Sequence, residues 1–272
     1  HDGVPLVFGL RRPENGRVGN LFRHLDGAFG RVGVEQKEVA GFGQRFAPVS
    51  VENHRVVFFD QGGLENYKKS IDVYIKAVEK QPDDYEAAWK CARAHREYAD
   101  EAKKKGIEGW QDICAEYGKV GMQYAQKAIE LKPERPDGHY YYGLNVGIYS
   151  DGVSIFTALK EGLKDKTQKS FEKTYEINKM YNDGGPMLSL GRFWAVLPWP
   201  LRDRKKSLAY YREYQQTPYF ATNTEAKLFL TELLIQIGGD ENKAEAEGYL
   251  EAAIKSDDPY FKNWATQLQA KL

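Results

Sequence analysis

The chain has 272 residues, with 39 Lys plus Arg set against 39 Asp plus Glu. A neutral balance argues against nucleic acid and against an anionic membrane surface, since both favour a basic excess. No apolar run reaches the length of a membrane span. The chain opens on His1-Asp2-Gly3 with neither an initiator Met nor a signal-peptide core, so it is expected to be processed or truncated. Cys91 and Cys114 are too few for a disulfide framework and read as two free, packed thiols, with a bridge between adjacent helices as the alternative in an oxidising compartment.

Residues 1–61 form an irregular extension of unassigned role. Positions 1–60 hold no Tyr or Trp, use Arg in preference to Lys, and repeat GRVG at 16–19 and 30–33. A phosphate-binding loop would need a following Lys and hydroxyl, which neither copy supplies. Leu6-Val7-Phe8 and Val56-Val57-Phe58-Phe59 read as short strands.

Residues 62–272 read as helices throughout. The stretch 64–81 places Tyr67, Ile71, Tyr74, Ile75 and Val78 on one stripe ahead of Pro82. Its Ser70, Tyr74, Ala77 and Pro82 follow the small–aromatic–small–Pro spacing of a tetratricopeptide B helix. Asp83-Asp84 reads as a cap for the next helix, 85–104. A long helix at 108–132 repeats the pattern with Gly121, Ala125, Ala128 and Pro133. An aromatic helix carrying Tyr140, Tyr141, Tyr142, Gly143 and Leu144 follows, then an insertion at 149–164 and a helix at 165–180.

The centre of the pattern is 174–201. Asn182-Asp183-Gly184-Gly185-Pro186 breaks the chain, because Asn, Asp and Gly accept φ > 0 and Pro presets a helix start. Leu188, Leu190, Phe193, Trp194 and Leu197 line the new helix, with Gly191 among them where another helix must approach closely. Pro198 and Pro200 stop it. Helices at 203–216, 223–238, 241–256 and 258–271 complete the array, the last behind Asp257-Asp258. The resulting expectation is an all-α, tetratricopeptide-like helical-repeat bundle, an α-solenoid. Its repeat intervals exceed the roughly 34 residues of a regular repeat, which predicts a distorted, more closed stack.

Residues 137–200, with the GGP-x-x-x-LG-x-aromatic seam, and 83–102 together resemble the T-component of TRAP-transporter-associated systems, a family of periplasmic lipoproteins. The resemblance spans about 62–271. It implies a periplasmic address, a protein partner in the transporter's substrate-binding component, and a small apolar ligand in an internal channel. The lipidated Cys of such a protein does not occur in this sequence, so anchoring is left open, and attachment through a lipid is an expectation for a full-length form. Leu190-Gly191-Arg192-Phe193-Trp194 is similar also to a seam in mitochondrial regulators of microtubule dynamics.

Aromatic excess defines the candidate site: Tyr140, Tyr141, Tyr142, Tyr149, Phe156, Phe193, Trp194 and Trp199. Such a set packs helices against each other, or lines a mostly apolar pocket. The candidate ligand-binding residues are Tyr141, Asn145, Tyr149, Ser189, Arg192, Phe193 and Trp194, with His95 as a further polar wall. Arg192 needs a carboxylate, a carbonyl or solvent, and a surface ion pair is the expected answer. The histidines are scattered without zinc spacing, and no nucleophile elbow, redox CxxC or dinucleotide fingerprint occurs. The chain therefore reads as non-enzymatic, without metal or cofactor. The alternative to a ligand carrier is a scaffold that holds a peptide or subunit on its concave face, self-association included.

Overall fold

In the computed structural model, the described residues are 58–272. The readings placed on 1–57, including the GRVG repeat and the Leu6–Phe8 strand, lie outside them. Phe58 and Phe59 correct the second strand: 58–61 is a helical turn. Gly62 N–H bonds to the Phe59 carbonyl at 3.0 Å, and the Phe59 ring lies 5.4 Å from that of Tyr67. Packing on a helical surface overrides the strand preference of an aromatic pair.

Eleven α-helices follow in the described residues: α1 Leu64–Lys80, α2 Tyr85–Lys104, α3 Trp110–Leu131, α4 Pro136–Gly152, α5 Ile155–Lys160, α6 Leu163–Asn178, α7 Tyr181–Val196, α8 Arg204–Gln215, α9 Thr224–Ile237, α10 Asp240–Ile254 and α11 Pro259–Gln269. No strand occurs among these residues. The expected all-α, tetratricopeptide-like stack is what the chain forms.

Local chemistry sets the boundaries. Asp84, Asp203 and Asn223 accept backbone N–H groups of Ala87, Lys206 and Ala226, each at 2.9 Å, which satisfies donors that a helix start leaves orphaned. Asp258 does the same for Tyr260 N–H at 2.8 Å. Pro136 and Pro259 occupy first-turn positions where a missing N–H costs nothing. Before the regular part of α7, Asn182, Asp183 and Gly184 run left-handed, with φ of 47°, 56° and 81°. The insertion is mostly helix: α4 continues to Gly152, and α5 fills 155–160.

Except across the short α5, where α4 packs on α6 instead, each helix packs on its successor, and α2 also packs on α4. The small residues of the B-helix pattern are sealed in, since Ser70, Ala125 and Ala128 have no exposed surface. The largest apolar cluster centres on α4, α7, α8 and α9 through Tyr140, Tyr141, Leu190, Phe193, Tyr211 and Phe229. Both thiols are buried and free, as the sequence suggests.

Gly191 is where α7 and α8 approach. A Cβ built there would lie 2.4 Å from the Tyr211 ring, and Ser207 Oγ donates to the Gly191 carbonyl at 2.7 Å. Only hydrogen fits. Gly191→Leu is expected to lower unfolding free energy by about 1–3 kcal/mol, measured by urea denaturation. An unchanged midpoint would show that this contact is not tight.

Candidate functional site

The seven candidate residues lie on two helices and form two groups. Tyr141, Asn145 and Tyr149 share one face of α4 at four-residue spacing; Ser189, Arg192, Phe193 and Trp194 belong to α7. All seven are buried, with Trp194 and Tyr149 the most exposed at 7% and 8%. Tyr141, Phe193 and Trp194 belong to one apolar cluster, and Tyr149 to another beside α5 and α6.

On α4 the polar atoms turn inward. The Tyr141 ring stacks on Trp89 of α2 at 5.7 Å. Asn145 Nδ2 donates to the Ala92 carbonyl at 3.0 Å and to the Tyr141 carbonyl at 2.8 Å, tying α2 to α4. Its Oδ1 abuts Gly121 of α3: a Cβ at Gly121 would stand 2.0 Å from it. The glycine hydrogen in that direction points at Oδ1, a weak C–H···O contact that any side chain would destroy. Tyr149 OH donates to Glu161 at 3.1 Å, and burial raises its pKa.

On α7 the polar groups also find protein partners. Ser189 Oγ donates to the Gly185 carbonyl at 2.8 Å. Arg192, only 2% exposed, pairs with Glu232 of α9 at 2.7 Å and stands 4.6 Å over the Phe229 ring. This corrects the expected surface ion pair. A guanidinium tolerates such burial because carboxylate and aromatic face are supplied together. Phe193 and Trp194 pack edge to face at 5.0 Å.

His95 is buried on α2 near Cys91, Tyr117 and Tyr124. Burial pulls its pKa down to about 4, against the opposing pull of the Cys91 carbonyl that it bonds. It is a neutral packing residue at ordinary pH. Of the wider aromatic set, Trp199 departs from expectation: it is 88% exposed. The side chain of Phe156 lies outside the described ones.

Two features escaped the sequence reading. Asp137, 5% exposed at the start of α4, accepts from Tyr85 OH of α2 at 2.7 Å and from Tyr181 OH of α7 at 3.0 Å. Proline before an acid suggests only a cap, and nothing in the spacing reveals two tyrosines arriving from other helices. The second is an open cleft of about 410 Å³ between α4 and α6, lined by His139, Lys169, Ser170, Glu172, Lys173 and Glu176. None of the seven candidates lines it.

The comparisons with known proteins fit this architecture. The model of the family described as regulator of microtubule dynamics protein 1-3 matches residues 57–196, from the turn before α1 to the end of α7. The chain belongs to that family. No curated protein matches. A solved structure, a thermophilic TPR protein in Thermus thermophilus, is similar with a TM-score of 0.57 at 15% identity, over 82% of this chain and 98% of that one. At that identity the likeness concerns the fold. The segment that carries the microtubule-regulator family is thus the one in which Asp137 and Asn145 join α2, α4 and α7.

The Gly121–Asn145 contact gives a direct test of how tightly this family segment is built. Gly121→Ala should displace the Asn145 amide and cost about 2 kcal/mol, the loss of a buried hydrogen-bonded group plus overpacking. Asn145→Ala should cost a similar amount. The double variant should be less destabilised than the sum, because the clash disappears with the amide. Additive losses in urea unfolding would contradict the contact.

Proposed function

We propose that this chain is a non-enzymatic protein-interaction scaffold that presents rigid helix faces to a polypeptide partner. The observation that carries the reading is the inward bonding of the polar groups on α4 and α7. Asn145 Nδ2, Ser189 and Arg192 are engaged by the protein itself, so the inner helices build a frame. Recognition then falls to what the frame exposes. The α4–α6 cleft offers Lys169, Lys173, Glu172 and Glu176 around a half-buried His139, a mixed-charge surface suited to a polar peptide. The description of the family, regulator of microtubule dynamics, names the first system in which to look for that partner.

The transporter-associated reading, with its periplasmic address and apolar ligand, has the sequence resemblance as its support. Packing rings in Tyr141, Phe193 and Trp194 leave its ligand little to satisfy, since their neighbours are already aromatic or apolar. One pair of measurements separates the two. Co-sedimentation with polymerised tubulin should retain the parent, and Lys169→Glu/Lys173→Glu should weaken it on the order of tenfold, as for loss of two charge contacts. Titration with a fluorescent apolar probe should give no saturable binding. Saturable binding that Trp194→Ala removes without loss of helix content would overturn the scaffold and favour the ligand carrier.

A further inference from the structure

We infer that the turn between α7 and α8 is a docking element for an anionic lipid surface. The turn lies just beyond the family-matched segment, which ends at residue 196. At its tip Trp199 is 88% exposed and Leu201 is 36% exposed, in a chain whose other tryptophans are at least half-buried. The presentation is ordered. Leu201 N–H bonds to the Pro198 carbonyl at 2.8 Å and Asp203 N–H to the Trp194 carbonyl at 3.2 Å, while Arg202 Nε reaches the Leu197 carbonyl at 2.9 Å.

The charge beside the tip is one-signed. Residues 202–206 read Arg-Asp-Arg-Lys-Lys, four cations with one acid, and that acid is engaged in capping α8. Arg202, Arg204, Lys205 and Lys206 enter no ion pair among the described residues. Lys206 and Lys164 stand over the Trp194 ring at 4.3 and 5.9 Å, which brings the start of α6 to the same place. Three of these cations occupy the first turn of α8, where the helix dipole repels positive charge and the one acid, Asp203 at the cap, faces three positive charges. The fold tolerates that adverse placement, and an anionic surface would relieve it.

The combination selects a bilayer over a protein. One Trp and one Leu present far less than the roughly 800 Å² per partner of a stable protein interface. They suit the headgroup region, where an indole is at once apolar and wet, and where each nearby cation adds attraction to anionic lipid. The neutral total of the chain conceals this local field, because the balancing acids lie elsewhere. This element is independent of the α4–α6 cleft.

The test is flotation of the full chain with phosphatidylcholine vesicles, with and without phosphatidylserine. The parent should float with phosphatidylserine vesicles, release in high salt, and bind phosphatidylcholine alone weakly. Arg204→Glu/Lys205→Glu should weaken binding on the order of tenfold or more. Trp199→Ala should weaken it several-fold and abolish quenching by brominated lipid, with unchanged thermal unfolding, since an exposed ring supports no core. Failure of the parent to bind phosphatidylserine vesicles would overturn the inference. So would equal binding by both variants, or a protein partner that Trp199→Ala loses while vesicles stay unbound.

Discussion

Three helices of the family segment meet at one carboxylate. Asp137 sits at the start of α4, takes the Tyr85 hydroxyl from α2 and the Tyr181 hydroxyl from α7, and has the Arg135 guanidinium 3.4 Å away at its outer side. Burial with the nearby carboxylate raises the pKa of both tyrosines, which keeps them protonated as donors. A helical array is otherwise held by contacts between neighbours in sequence. This latch spans 52 and 44 residues, so it fixes the inner helices to one another and not merely to their own partners. A buried acceptor with two donors is an all-or-none arrangement, since losing it strands both hydroxyls.

From that constraint the rest of the architecture follows. With α2, α4 and α7 drawn together, their facing residues must be small, flat or bonded to each other. Trp89 stacks on Tyr141, the Asn145 amide bridges α2 and α4, and Gly121 admits the amide oxygen. Past α7 the same economy continues, with Gly191 receiving the Tyr211 ring and Arg192 closed by Glu232 and Phe229. The interior is a rigid frame. The two recognition elements proposed above, the cleft beside α6 and the turn before α8, lie at its edges.

Much of the fold was legible because period, caps and proline punctuation are local signals. Pro82 and Pro133 follow helix ends, Pro186 follows the kink that opens the regular part of α7, and Asp84 and Asp258 cap as their positions suggest. Gly191 was readable as a close contact, though the aromatic that fills the space was not. Pairings at long range were the part that sequence could not show. Arg192 was placed at the surface because Glu232 lies forty residues away in another periodic stripe. Phe58 and Phe59 looked like a strand because four apolar residues in a row have no period of their own. Trp199 was grouped with packing aromatics, although the prolines on either side and the cations after it set it apart.

The account stands or falls on the latch at Asp137. Urea unfolding of Asp137→Ala, followed by circular dichroism and by tryptophan fluorescence, tests it most directly. The account predicts a loss of about 3 kcal/mol or more, reported alike by both probes, because the buried Tyr85 hydroxyl and the half-buried Tyr181 hydroxyl are orphaned at once. A loss below about 1 kcal/mol would contradict it, and would show that α2, α4 and α7 hold their places without the shared carboxylate.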